Sequence, residues 1–352
     1  MKRTVRRICI GFFSIIFILA VIIIVLFWNE IKSLTSIKKI DDYGMFKMDY
    51  YGDYGFDDFL KVGASNDSGI EAFVTKRLLK GIPIDFGVAG NGCTAFMVQN
   101  ENGEIMFGRN FDFTYAPSLQ LYTHPKNGYA SVSTVNLSFA GYSKDSLPSG
   151  LNFESFLALA APYLPFDGMN EKGVAIALLA VPKTELKSDP AKITLNTTTA
   201  IRLVLDKAAN INEAVTLLKQ YNIYFSGEVE CHYLIADASG KSVLVEFWDG
   251  KLQTVTSNVN YQIASNFVAY NNLNIGEGYD EFERYDQVKQ AIEGNNGTLT
   301  HSHAVKTLTK IGVYGDNGED KLQWSVLYNL TDLSGVIFAH RKSDNQIDFQ
   351  LR

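Results

Sequence analysis

Cysteine is scarce in this sequence, three in 352 residues, and histidine nearly as scarce at five. Cys9 falls inside an apolar run, where it acts as a small hydrophobic residue. That leaves Cys93 and Cys231, too few for a disulfide framework. No basic stretch occurs outside the N-terminus, so the electrostatic footprint of a nucleic-acid groove is missing. No glycine-rich phosphate loop stands between a strand and a helix, and no nucleotide cofactor is expected. His301 and His303 lack acidic or thiol ligands at a recognisable spacing, and no metal is expected. The rest is ordinary globular composition, 46% hydrophobic with a net charge of −6.

One long run carries no charge at all. Residues 8–28 are almost wholly apolar and follow Lys2, Arg3, Arg6 and Arg7. A helix rises roughly 1.5 Å per residue, so this length matches a hydrocarbon layer of about 30 Å. The basic residues predict a cytoplasmic segment at 1–7, a transmembrane anchor at 8–28, and an exported remainder. A cleaved signal peptide is the alternative, against a run longer than usual and a poor cleavage site at Phe27-Trp28-Asn29. Residues 29–92 read as stalk and prosegment, and residues 93–352 as a single catalytic domain. Within the prosegment, the aromatic-rich stretch 43–59 reads as a coil wrapped on the body, with a flap over an apolar substrate as the alternative. Ser68 to Glu71 has capping-box form, opening a helix that Gly81 closes.

From Cys93 onward the pattern is that of strands. CTAFMVQ and EIMFGRN flank Asn100-Glu101-Asn102-Gly103, a strong hairpin turn. Further strands are expected in 130–139, 173–181, 232–238, 241–248, 251–257, 261–266, 322–330, 333–341 and 347–352. Helices are expected at 197–209, 211–221, 281–293 and 302–311. Hairpin-like strands with grouped helices predict an α+β fold built on antiparallel sheets.

Cys93 follows Gly-Asn-Gly and begins a strand. A thiol attacks as thiolate and needs a base or a nearby cation. No histidine has a telling context, since His232 next to Cys231 would face the other side of its strand. If the chain were cut between Gly92 and Cys93, the freed α-amine, with a pKa near ~7.7–8.0, would itself be a matched base. Gly92 would suit such a cut by tolerating unusual backbone geometry. After the hairpin, Arg109 and Asp112 return to the cysteine's end of the sheet, Arg109 to favour thiolate and Asp112 to hold the amine.

The segment CTAFMVQNENGEIMFGRNFDF, through Cys93-Thr94 and Gly108 to Asp112, resembles the nucleophile region of the choloylglycine hydrolase family. These are N-terminal-nucleophile linear amide hydrolases that include bile salt hydrolases and penicillin V acylases, with acid ceramidase more distant. Asp167 to Gly173 resembles a family turn, and Asp237 to Ser242 a family hairpin; both read as structural. Ala264-Ser265-Asn266 is similar to the segment with the oxyanion-binding asparagine, and Glu283-Arg284-Tyr285 to one with a second active-site arginine. LQWSVLYNL looks like the isopenicillin-N acyltransferase branch. The resemblance implies a four-layer αββα sandwich with Cys93 as nucleophile. It also implies supporting roles for Arg109, Asp112, Asn266 and Arg284, a cleavage site at Gly92-Cys93, no cofactor, and a small N-acyl amide substrate.

The sequence departs from that pattern at two places. Ala180 stands where relatives place a polar side chain, which argues against bile salts and penicillins as substrates. The 92 residues before the cysteine make an unusually long prosegment, expected to stay packed on the body through residues 68–82. An acyltransferase with the same machinery, an unprocessed membrane-tethered binding protein and a histidine-assisted thiol peptidase remain alternatives. The oligomeric state is left open.

Overall fold

The computed structural model describes residues 10, 12–14, 17–18, 21–22, 24–84, 92–148, 152, 154–278, 280–315 and 317–351. Its strands are β1 (Lys38–Lys39), β2 (Met45–Tyr50), β3 (Cys93–Gln99), β4 (Ile105–Asp112), β5 (Ser118–Thr123), β6 (Ser131–Asn136), β7 (Pro165–Asn170), β8 (Ala175–Ala180) and β9 (Thr194–Asn196). They continue with β10 (Asn222–Tyr224), β11 (Cys231–Ala236), β12 (Ser242–Trp248), β13 (Lys251–Val255), β14 (Tyr261–Ala264), β15 (Leu322–Asn329), β16 (Ser334–Ala339) and β17 (Ile347–Gln350). The α-helices used below are α1 (Trp28–Thr35), α2 (Phe56–Val62), α3 (Asp67–Arg77), α4 (Thr197–Lys207), α5 (Ile211–Leu218), α6 (Asp280–Glu293) and α7 (His301–Ile311).

The strands form a mixed α+β sandwich. A nine-stranded sheet runs β1-β2-β5-β6-β7-β8-β11-β12-β13, and a six-stranded sheet runs β14-β3-β4-β15-β16-β17. Helices α4 and α5 cover the larger sheet and α6 and α7 the smaller one, while β3 meets β8 and β11 between the two sheets. The alternation along β3 explains this layering. Cys93, Ala95 and Met97 enter the core between the sheets. Phe96 and Val98 join a separate core with Val288, Ile292, Leu308 and Ile311 of the covering helices. A strand alternates its side chains between faces, and with both faces covered every residue of β4 is buried. Gly108 of β4 lies opposite Phe96 of β3, and a Cβ there would come within 2.4 Å of the Phe96 ring. Here glycine makes room for an aromatic ring on the neighbouring strand.

Segment 43–59 differs from the expected coil. Its first half is β2, paired in parallel with β5 inside the larger sheet, and its second half enters α2. Met45, Met48, Tyr54 and Phe59 are buried in the main core. An alternation masked by aspartates and tyrosines hid this strand from the sequence. β5 and β7 were also missed, β7 because its Asp-Gly-Met-Asn reads as a turn. Helix α3 is capped by Asn66, whose side chain accepts from Gly69 N–H at 3.0 Å, rather than by the Ser68–Glu71 box. Its Ile70 and Val74 are fully buried.

Among the described residues no helix is long and apolar enough to cross a membrane. Parts of the apolar run 8–28 lie outside the described residues. Those described between residues 10 and 26 are helical, and Phe12, Phe13, Phe17, Val25 and Leu26 are exposed.

Candidate active site

Cys93 is the first residue of β3, and the β3–β4 register places it opposite Phe111 and Ala95 opposite Arg109. Cys93, Arg109 and Phe111 therefore share the face between the sheets, while Thr94, Asn110 and Asp112 share the helix-covered face. Arg109 approaches the thiol from inside: its Nη2 lies 3.6 Å from Cys93 Sγ and donates to Leu178 O at 3.2 Å. Its guanidinium carbon sits 4.9 Å from the Phe111 ring centroid and 5.4 Å from that of Trp324.

Asp112 and Arg284 approach from the other face, toward the Cys93 backbone. Asp112 Oδ1 accepts from Val313 N–H at 2.8 Å, and the Asp112 backbone N–H donates to Gly92 O at 2.9 Å. Arg284, on α6, donates through Nη1 to Cys93 O and Thr94 Oγ1, both at 2.6 Å, and through Nη2 to Asn266 Oδ1 at 2.9 Å. Its Nε is held by Asp280 at 2.8 Å. Asn266 Oδ1 also accepts from the Cys93 backbone N–H at 2.6 Å. Its Nδ2 donates to Ala180 O at 2.8 Å, so the donor expected to bind an oxyanion is engaged in the uncut chain. Cys93, Arg109, Asp112, Asn266 and Arg284, spread over nearly two hundred residues of sequence, thus meet at one point.

Asp112 and Arg109 lie on opposite faces of β4. The partner of Arg109 is Asp167, at 3.2 Å with both side chains wholly buried. Asp167 also accepts from Trp324 Nε1 at 3.0 Å and Tyr328 O–H at 2.7 Å. The sequence reads Asp167 as part of a structural turn, because its partner Arg109 comes from a different strand. At Gly92 the absence of a Cβ matters sterically. A Cβ there would stand 3.1 Å from Val313 Cγ2, 3.4 Å from Asp112 Cβ and 3.5 Å from Arg284 Nη2.

His232 also has a place that the sequence did not show. Its Nδ1 meets Glu246 Oε1 and its Nε2 meets Ser265 O, both at 2.9 Å. A carbonyl only accepts, so Nε2 carries the proton in that bond. This fixes the backbone just before Asn266. Glu246 additionally accepts from Ala269 N–H and Tyr270 N–H.

Burial sets the titration of the site. Desolvation pushes the Cys93 thiol up, opposed by Arg109 and Arg284. Burial likewise lifts the Asp112 carboxyl to about 6, with the two arginines acting in the other direction. Among the described residues, Asp112 Oδ2 and Arg109 Nη1 are buried without a hydrogen-bond partner. Cys231 is pushed up to about 12 by burial, the state of an inert core thiol. A cleft of about 500 Å³ opens beside Gly92, Ala180 and Asn266.

Comparison with known proteins agrees with this geometry. The profile of linear amide C-N hydrolases of the choloylglycine hydrolase family matches residues 93–316. A bile salt hydrolase/transferase of Clostridium perfringens is 28% identical over 223 residues, covering 59% of this chain and 66% of that protein. A penicillin V acylase of Pectobacterium atrosepticum is 35% identical over 111 residues, covering 28% of this chain and 29% of that protein. The chain thus spans just under two thirds of the first relative's length and less than a third of the second's. Among solved structures, a mutant conjugated bile acid hydrolase from Clostridium perfringens superposes with a TM-score of 0.52 at 16% identity, over 74% of this chain and 92% of that one. That likeness establishes the shared sandwich. With the profile matching well over half of its length, the chain belongs to the choloylglycine hydrolase family of linear amide C-N hydrolases.

Proposed function

We propose that this protein hydrolyses the linear amide bond of a small N-acyl compound, with Cys93 as nucleophile and its own α-amine, freed by a cut after Gly92, as base. The observation that carries this reading is the convergence on one residue: Arg109 Nη2 at 3.6 Å from Cys93 Sγ and Asn266 Oδ1 at 2.6 Å from Cys93 N.

In the uncut chain Cys93 N is an amide and is not basic. The Gly92 carbonyl already accepts from the Asp112 N–H, a donor placed for the oxyanion that forms when Sγ attacks that carbonyl. The C–N bond breaks, the thiol proton passes to the departing nitrogen, and water hydrolyses the resulting thioester. The products are a Gly92 carboxylate and a free Cys93 amine. Asn266 Oδ1 holds that amine, and the unpartnered Asp112 Oδ2 stands on the same side of the sheet to receive its charge. In turnover the amine takes the thiol proton, and Arg109 stabilises the thiolate as it attacks the substrate carbonyl. Asn266 Nδ2 leaves Ala180 O to hold the oxyanion. The protonated amine then gives its proton to the leaving amine, and water, activated by the same base, releases the acid. An amine replacing water at the last step would make the enzyme a transferase.

At position 180, where the resemblance to bile salt hydrolases and penicillin acylases implies a polar side chain, Ala180 offers only its backbone carbonyl, to Asn266 Nδ2. This favours N-acyl compounds other than bile salts and penicillins. We place the catalytic body outside the cytoplasmic membrane, held by residues 8–28. The charge-free run, the preceding basic residues and the exposed apolar side chains along its described part support that placement. Intact-mass analysis tests the chemistry: incubation with a slow N-acyl substrate should add one acyl group to the fragment beginning at Cys93. A Cys93→Ala chain should acquire none. An acyl adduct elsewhere, or turnover surviving in Cys93→Ala, would refute the assignment.

A further inference from the structure

The cleft beside Cys93 has walls of one charge. Glu228, Glu230, Glu277, Asp280 and Glu281 line it, and among the described residues no lysine or arginine does. Their surroundings offset little of this charge. Asp280 is paired with Arg284 at 2.8 Å. Glu281 accepts from Gly278 N–H and Glu230 from Thr184 N–H, both neutral donors. Glu228 and Glu277 are exposed, and among the described residues neither makes an ion pair. The cations behind the wall are buried and each is matched by a carboxylate, Arg284 by Asp280 and Arg109 by Asp167. Behind Gly92, which forms part of the wall, lies Asp112 with its buried unpartnered oxygen. The remaining wall includes Val181, Pro182, Val229 and Val313, and apolar walls focus the field of the charges beside them. The cleft is not an acidic patch apart from the chemistry, because Gly92, Ala180 and Asn266 belong to the nucleophile's own surroundings. Its volume of about 500 Å³ suits a small molecule.

We infer that the substrate carries a protonated amine or a guanidinium on the part that fills this cleft, as in an N-acylated diamine or an amide of a basic amino acid, and that anionic conjugates are rejected. This rests on the amide-hydrolase reading and specifies its substrate class.

The experiment uses the full chain in detergent and compares N-octanoyl putrescine, N-octanoyl butylamine and N-octanoyl γ-aminobutyrate. ω-Aminooctanoyl butylamine places the cation on the acyl side instead. One of the two ammonium amides should exceed the neutral amide in kcat/KM by on the order of tenfold at low salt. The lead should shrink as salt screens the charges, and the anionic amide should fall below the neutral one. Glu228→Gln with Glu277→Gln should remove most of the preference, lowering kcat/KM for the ammonium amide far more than for the neutral one. Calorimetric binding of octylammonium and octanoate to the same protein supplies a readout that needs no turnover. Tighter binding of octylammonium, weakened in the double variant, supports the inference even if no amide is cleaved, in which case the hydrolase reading alone fails. Turnover of the neutral amide with no advantage for either cation, or equal binding of the two ions, overturns the inference and leaves the hydrolase reading standing.

Discussion

Arg109 carries its charge where water cannot reach it, and Asp167 is what makes that tolerable. A buried ion pair broken at one partner typically costs about 3–5 kcal/mol, because the remaining charge is left uncompensated. Asp167→Ala should therefore lower unfolding free energy by roughly that amount in urea titrations, and activity should fall with it. An unchanged midpoint would mean that Arg109 is not held by Asp167. Asp112 gives a prediction with a sign. Its folded carboxyl lies near 6, against 3.8 for the free group, so between these values the folded uncut chain binds more protons than the unfolded one. The favourable contribution is complete at low pH and is lost as pH rises through about 6, amounting to roughly 3 kcal/mol. In an uncleavable Cys93→Ala background, stability should decline from pH 4 to pH 7, and adding Asp112→Asn should flatten that decline. The sequence made Cys93, Arg109 and Asp112 legible because they lie within one hairpin at fixed spacing. It could not reveal Asp167 or His232, whose partners Arg109 and Ser265 come from other strands and connections.

The β3–β4 hairpin is where local chemistry and global fold agree most closely. The Asn-Gly turn is real: Gly103 sits at φ +85°, and Asn100 Oδ1 accepts from the Asn102 and Glu104 N–H groups at 2.9 Å. Its two faces serve different layers, so the strand pair both positions the cysteine and seals two cores. Gly108→Ala should push against the Phe96 ring and cost about 1–3 kcal/mol, visible as a lowered thermal midpoint. A smaller residue opposite, in Gly108→Ala with Phe96→Leu, should recover part of the loss. The strands and helices with a clear period, such as Ala175–Ala180 and His301–Ile311, were readable from their sequence. β2 was not, since Asp49 and the flanking tyrosines obscure its alternation and its partner β5 lies some seventy residues away.

At the scale of the whole molecule, the segment before the cysteine belongs to the body. β2 is an inner strand of the larger sheet, between β1 and β5, and α3 buries Ile70 and Val74. If the chain is cut after Gly92, these contacts should keep the two fragments together without a covalent link. Gel filtration in mild detergent should show them co-eluting, and separation should require denaturant. If the apolar run anchors the protein, both fragments should then remain in the membrane fraction; catalytic fragment free in solution would contradict the joint account.

The most direct test of the account is N-terminal sequencing with intact-mass measurement on the full-length protein, alongside Cys93→Ala. The account predicts a fragment that begins at Cys93 in the wild type and an uncut chain in the variant. An uncut wild-type chain that still hydrolyses amides would leave Cys93 without its amine base and contradict the mechanism at its centre.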